Sequence, residues 1–185
     1  MDERTEALRQ CPVLEGFTDV GLQIIAAVAQ ERLYANARAL QTQSELPKEA
    51  GVLFLWSGRV RCEVKDENGR SLGLGNLGPG DHLGGMRLFG TATAPLSAIA
   101  EGDVRALLLD RPAFERIRRQ KPQTAMKLLH ALASDFGRRM SDCSDDFAAF
   151  ALFAAQKTNL ATRGQFSYAD YQSDSTPFML REDKP

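Results

Sequence analysis

The sequence predicts a mainly β fold with flanking helices: a jelly-roll barrel (double-stranded β-helix) with one helix before it and long helices after it. Between Arg32 and Leu109, short apolar or alternating segments follow one another, separated by turn residues and without interleaved long helices. Such a series is typical of β-barrels and jelly rolls. A helical period of apolar residues precedes this region and returns at Asp110, so helices are expected on both sides.

Composition is that of an ordinary globular protein. The 185 residues carry a formal net charge of −1, which suits one domain with an appendage and gives no overall attraction for nucleic acid or an anionic membrane. The first residues lack the apolar core of a signal peptide, and no apolar run is long enough to span a membrane. The three cysteines are odd in number and widely spaced, which favours free thiols over disulfides. We therefore expect a cytoplasmic protein that does not enter a membrane.

The N-terminal region predicts two helical segments. Residues 8–17 suit a short helix and a loop. Thr18 is a good N-cap, and the apolar residues after it share one helical face, which predicts a helix from Asp19 to roughly Gln30. From Arg32 the period changes to two, as in a strand.

The central region predicts strands joined by tight turns. Val52–Trp56 is almost continuously apolar, as in a strand buried on both faces, and Ser57-Gly58 separates it from an alternating strand over residues 59–64. Asp66–Gly69 is a hairpin signal, because Asn and Gly tolerate positive φ. The later predicted segments are a return strand with Leu72, Leu74 and Leu77, a turn at Gly78–Asp81, and two strands, Ser97–Ala100 and Val104–Leu109, separated by Gly102-Asp103.

The C-terminal region predicts helices. Asp110 can cap the first helix, whose first turn holds Pro112, and Pro122 marks the start of the next. Gly137 and the residues 141–144 allow a break in this second helix. A heptad seam runs along it: Leu129, Leu132, Phe136, Met140, Cys143, Phe147, Phe150 and Ala154. Packing on the barrel and a dimer interface both fit this seam.

In order and spacing, four motifs resemble the cyclic nucleotide-binding domain of the catabolite activator and Fnr-type regulators. They are the strand pair Leu53–Val60, which contains Ser-Gly-Arg-Val, the hairpin Asp66–Gly69, the turn Leu77–Asp81, which reads Leu-Gly-Pro-Gly-Asp, and the helix entry Leu107–Arg111 with Phe114. The resemblance covers roughly residues 12–140. It implies a jelly-roll sensor domain that forms a homodimer through its long last helix.

The resemblance also places the phosphate-binding cassette of that family. There it reads F-G-E-hydrophobic-A-L and, after a loop, P-R-S-A; the Gly-Glu backbone and the Arg hold the cyclic phosphate, and the Glu holds the ribose hydroxyl. Here Leu83–Leu88 has Gly85 in place of the Glu, and Pro95–Ala98 has Leu96 in place of the Arg. The candidate ligand cradle consists of Gly84, Gly85, Met86, Arg87, Ser97 and Ala98.

The two missing charged side chains predict that a cyclic nucleotide is not held in the usual way. A hydrogen bond to a charged group contributes about 1.5–3 kcal/mol, so losing two removes about 3–6 kcal/mol, or about two to four decades of affinity. Arg87 could replace the lost cation or face solvent. Ser97 could donate to a phosphate or be an ordinary strand serine. Gly85 could also be structural and allow a collapsed, empty cradle.

These observations favour a non-catalytic regulatory or interaction module. Two alternatives stay open: a genuine sensor of cyclic AMP, cyclic GMP or another small anionic ligand that controls a partner protein, and an accessory subunit of a transcription regulator. The sequence has no catalytic constellation and no metal-ligand spacing, so a cyclic nucleotide is the only cofactor left open. The residues after Lys157 are too few for a winged helix-turn-helix, so we expect no DNA binding by this chain alone.

Three parts are expected along the chain. Residues 1–122 form the barrel domain with its N-terminal helix, residues 123–157 the C-terminal helical region and dimer interface, and residues 158–185 a tail. The tail is either a strap packed on its own fold or a flexible segment. Its aromatic residues are Phe166, Tyr168, Tyr171 and Phe178.

Overall fold

The computed structural model describes residues 2–46, 50–88 and 93–161, with only the backbone described for Met86 and for residues 143–161. The helices are α1 (Glu3–Arg9), α2 (Asp19–Val28), α3 (Arg111–Gln120) and α4 (Pro122–Ala161). The strands are β1 (Gln30–Tyr34), β2 (Ala39–Gln41), β3 (Gly51–Lys65), β4 (Ser71–Leu77), β5 (His82–Leu83) and β6 (Ser97–Asp110). Two short 3₁₀ helices are Pro12–Leu14 and Gly85–Leu88, and we name the second the cradle helix.

The six strands form one antiparallel sheet centred on β3 and β6. The main path is β1-β6-β3-β4, while β2 pairs with β6 and β5 pairs with β3. The central pair runs from Gly51 opposite Asp110 to Glu63 opposite Ser97. Among the described residues β1 and β4 do not pair, so the sheet is not closed into a complete barrel. An antiparallel sheet with helices before and after it in the chain confirms the predicted jelly-roll fold class.

Two predicted strand breaks lie inside long, continuous strands. β3 has 15 residues and passes through Ser57-Gly58 with shifts of register, and β6 has 14 residues and passes through Gly102. Gly58 takes φ +91°, and a Cβ on it would lie 2.4 Å from the carbonyl oxygen of Asp103. The prediction of separate strands was wrong because a bulge needs the same glycine signal as a turn but lets the ladder continue.

The caps of α2 and α3 are as predicted. Thr18 Oγ1 accepts a hydrogen bond from Gly21 N–H at 3.2 Å, and Asp110 Oδ1 accepts one from Ala113 N–H at 2.8 Å. Helix α2 begins at the predicted Asp19 and ends at Val28, two residues before the approximate predicted end. Gln30 instead begins β1, where pairing with β6 satisfies its backbone.

Neighbouring residues of β3 and β6 enter two different apolar clusters. The first cluster also contains the buried faces of α1, α2 and α3, and its strand members are Val52, Phe54, Leu107 and Leu109. The strand members of the second include Leu53, Leu55, Ala106 and Leu108. This alternation explains why Val52–Trp56 is almost continuously apolar: both faces of that strand are buried.

Helix α4 is continuous through Gly137. Leu132 is buried in the first cluster and Leu129 packs against it, so this end of the seam packs on the core of the domain. Phe136 and Met140 are 40% and 54% exposed. The seam side chains from Cys143 onward lie outside the described residues, and a boundary between two compact units falls between Ala133 and Ser134.

The three-part division of the chain stays a prediction. Residues 158–161 of the expected tail continue α4, and the tail aromatics lie outside the described residues. In the described part of the chain, no helix combines the length and the apolar character needed to cross a membrane.

Candidate functional site

A tight turn before the cradle helix is hydrogen-bonded to β3. Asp81 Oδ2 accepts a hydrogen bond from Gly78 N–H at 2.8 Å, and Gly80 takes φ +92°. Gly80 N–H donates to the carbonyl of Leu55 at 2.9 Å, and Leu55 N–H donates to the carbonyl of Asp81 at 2.8 Å. The turn predicted at Gly78–Asp81 therefore fixes where β5 and the cradle helix begin.

Gly84 lets the chain enter the cradle helix next to β3. Its φ is +76°, and a Cβ on it would lie 2.7 Å from the carbonyl oxygen of Gly51. Its own carbonyl accepts a hydrogen bond from Arg87 N–H at 2.8 Å. The positive φ of Gly84 and the nearness of the Gly51 carbonyl together exclude a side chain at this position.

The Arg87 side chain folds back over Gly84. Its Cζ and Nε would each lie 3.4 Å from a Cβ on Gly84. The residue is only 7% exposed, so the alternative that it faces solvent was wrong. Burial lowers the pKa of the guanidinium because the charged form loses its water, and nearby Tyr34 acts in the opposite direction. Among the described residues, no carboxylate forms an ion pair with Arg87.

A cavity of about 440 Å³ is lined in part by Arg87. It is bounded by β1, β2 and the residues that follow, β3, β6 and the cradle helix. Its polar lining includes Tyr34, Gln41, Thr42 and Glu45, and its apolar lining includes Leu40, Leu53 and Leu108. Its volume lies within the range of small-molecule sites, about 300–1,000 Å³.

Side chains next to the cavity hold the start of β6 in place. Gln41 Nε2 donates to the carbonyl of Leu96 at 3.0 Å, and Ser97 Oγ accepts from Gln43 N–H at 3.0 Å. The Ser97 hydroxyl thus makes a structural bond within the fold. Gln41 Oε1 is buried and has no hydrogen-bond donor within the described ranges.

Among the described residues, the two positions that carry charge in the phosphate-binding cassette have no opposite charge beside them here. A Cβ on Gly85 would lie 3.2 Å from Leu132 Cδ2, 3.8 Å from His82 Cδ2 and 3.9 Å from His82 Nε2. Leu96 packs against the second cluster. Both positions therefore lie against the domain's own side chains.

The six predicted cradle residues fall in different surroundings. Arg87 lines the cavity, and Gly84 lies beneath its guanidinium. Ser97 and Ala98 are buried in β6, Gly85 faces Leu132, and the Met86 side chain lies outside the described residues. The sequence reasoning missed the cavity residues of β1, β2 and the loop after β2, because no motif marks them and only the folded sheet brings them to Arg87.

The chain was compared with known proteins. Residues 31–121 match the family described as cyclic nucleotide-binding domain. This part of the chain belongs to the cyclic nucleotide-binding domain family. The match confirms the resemblance found in the four motifs, and domains of this family are regulatory. In the described residues, no cluster of His, Cys, Asp or Glu could hold a metal ion.

Solved structures of regulators share the fold. The catabolite activator protein of Thermus thermophilus has a TM-score of 0.67 at 25% identity, covering 76% of this chain and 63% of that one. The N-terminal domain of a Streptomyces coelicolor transcriptional regulator has a TM-score of 0.65 at 21% identity, covering 73% and 93%. The regulatory subunit of a cAMP-independent protein kinase A from Trypanosoma brucei, a triple mutant bound to cAMP, has a TM-score of 0.57 at 18% identity, covering 72% and 44%.

Proposed function

We propose that this chain is a non-catalytic regulatory module that does not hold a cyclic nucleotide through the contacts used by its family. The observation that carries the proposal is the setting of Gly85 and Leu96. Gly85 has no side chain to reach a ribose hydroxyl and lies against Leu132. Leu96 packs against apolar neighbours where a phosphate would need a cation.

The expected energetic consequence is large. Two lost charge-assisted hydrogen bonds remove about 3–6 kcal/mol of binding free energy, or about two to four decades of affinity. The relative from Trypanosoma brucei, described as part of a cAMP-independent kinase, supports the idea that this fold can serve regulation without responding to cAMP.

Restoring the two charges tests the proposal. We expect the double variant Gly85→Glu, Leu96→Arg to bind cyclic AMP at least about a hundredfold more tightly than the native chain, measured by titration calorimetry. Leu132 must move slightly to admit the glutamate, which a flexible side chain allows. The matched control, Gly85→Gln with Leu96→Met, places long uncharged side chains at both positions and should gain little. An equal gain in both variants would contradict the proposal.

A second proposal concerns assembly. We propose that the chain forms a homodimer through α4, because the heptad seam continues beyond the domain core with Phe136 and Met140 exposed. A cytoplasmic module of this kind would control a partner protein, or serve a transcription regulator as an accessory subunit, without binding DNA by itself. The formal net charge of −1 supports a protein partner over nucleic acid.

A further inference from the structure

We propose that the cavity beside Arg87 binds a small organic carboxylate with an apolar body. This inference rests on the proposed function, because it assigns the anion to Arg87 and not to the cassette positions that are Gly85 and Leu96 here.

The buried guanidinium is the observation that points to a ligand. Arg87 is 7% exposed, lines the cavity, and pairs with no carboxylate of the described residues. A buried charge is costly unless an opposite charge and hydrogen bonds compensate for the lost water. An anion that enters the cavity would supply both, and the planar guanidinium fork matches the two oxygens of a carboxylate.

The charges of the lining favour one negative charge over two. Arg87 contributes the cation, while Glu45 lines the same cavity and forms no ion pair with it. A phosphate monoester, which carries close to two negative charges at neutral pH, would leave surplus negative charge near Glu45. A carboxylate matches the single charge of Arg87 and leaves only the charge of Glu45, which is exposed to solvent.

The remaining lining determines the body of the ligand. Leu40, Leu53 and Leu108 line part of the cavity, so an aromatic or aliphatic body of the ligand can pack against them. Gln41 also lines the cavity, and its buried Oε1 accepts no hydrogen bond from the described residues.

The test uses the full chain and three carboxylates, namely benzoate, 4-hydroxybenzoate and hexanoate. Benzamide is the neutral match of benzoate, and phenyl phosphate is the probe with close to two negative charges. Binding is measured by calorimetry and by the shift in melting temperature. We expect at least one carboxylate to bind at millimolar concentration or below and to raise the melting temperature, whereas benzamide and phenyl phosphate do so at least about tenfold more weakly. Equal binding of benzoate and benzamide, or no binding by any of the three carboxylates, would overturn the proposal.

Two variants connect the binding to the guanidinium. Arg87→Met keeps the apolar stem and should lose at least about tenfold in carboxylate affinity. Without ligand it should melt higher than the native chain, because an uncompensated buried charge has been removed. The control Arg70→Met, in the exposed β3–β4 hairpin, should change neither property. Carboxylate binding that survives Arg87→Met, or a lower melting temperature in that variant without ligand, would overturn the assignment.

Cyclic AMP, titrated in the same experiments, separates this inference from the proposed function. If neither the carboxylates nor cyclic AMP bind, the carboxylate site fails and the proposed function stands. If cyclic AMP binds at micromolar concentration to both the native chain and Arg87→Met, both proposals fail.

Discussion

Burial determines the chemistry of Cys11. It is 1% exposed, and its Sγ donates to the carbonyl of Ala7 at 3.6 Å. Burial, with a smaller contribution from the charge of Asp81, raises the pKa of the thiol to about 12. The reactive thiolate is therefore scarce at neutral pH.

We predict that Cys11 resists alkylation in the folded protein. Iodoacetamide at pH 8, followed by peptide mapping, should leave Cys11 unmodified in buffer and modify it in urea. Because the pKa of the thiol is higher in the folded than in the unfolded protein, the neutral Cys11 thiol favours the folded state. This contribution to folding stability is complete below about pH 9 and declines as the pH rises toward about 12. Equal labelling rates in buffer and urea would contradict this prediction.

The sequence predicted single residues unevenly. Gly85 and Leu96 could be matched to the two charged positions of the cassette, because the glycine, proline and serine of the cassette occur here in the family's order. The burial of Arg87 could not be predicted, because a four-residue 3₁₀ helix has no repeating apolar face to orient it. The positive φ of Gly84, which brings the guanidinium back over the backbone, has no signal beyond the glycine itself.

At the scale of the element, Gly58 shows how a strand continues through a bend. The ladder has Ser57 opposite Arg105 and Arg59 opposite Glu101, so Gly58 faces three residues of β6. Arg105 also stacks over Trp56, with its Cζ 3.8 Å from the ring centroid. The bulge therefore lies within a packed part of the sheet.

We predict that Gly58→Ala destabilises the fold by about 1–3 kcal/mol. The new Cβ would lie 2.4 Å from the Asp103 carbonyl oxygen, at a φ of +91° that alanine rarely adopts. Urea unfolding measures the effect. The control is Gly73→Ala in β4, where a Cβ would meet nothing within 4 Å, and it should change stability little. Equal effects of the two substitutions would show that the bulge does not depend on glycine.

The elements themselves were largely predictable, and their continuity was not. Caps at Thr18 and Asp110 mark helix starts because their side chains bond to the first turn. Glycines in the β region mark a change of direction without indicating whether the ladder ends. Whether the ladder continues depends on the partner strand, and the partners β3 and β6 lie far apart in the sequence.

At the scale of the whole molecule, α4 changes its surroundings along its length. Its first turns pack Leu128 and Leu132 into the domain core, and farther along it exposes Phe136 and Met140. The heptad period indicated one seam for both parts because a sequence period does not distinguish core packing from an interface.

We predict that the native chain is a dimer and that Phe136→Glu with Met140→Glu makes it a monomer, because charges at seam positions lose their water on association. Size-exclusion chromatography with light scattering measures the mass. The control Ser141→Glu changes an exposed position of the same helix outside the seam and should remain dimeric. A dimer that persists in the double variant would place the interface elsewhere.

The overall fold followed from the sequence because turn signals and apolar segments occur in the family's order. The cavity did not, because its polar lining comes from β1, β2 and the loop after β2, which meet the cradle helix only through pairing with β6. Local patterns cannot predict which distant residues meet. The sequence therefore indicated Arg87 as a possible replacement cation but not the cavity that it lines.

The most direct test of the central claim is calorimetric titration of the native full chain with cyclic AMP, repeated with cyclic GMP. Gly85 and Leu96 leave the ribose and the phosphate without their charged partners, so we predict no measurable binding at micromolar concentrations. A micromolar dissociation constant for either nucleotide would contradict the account.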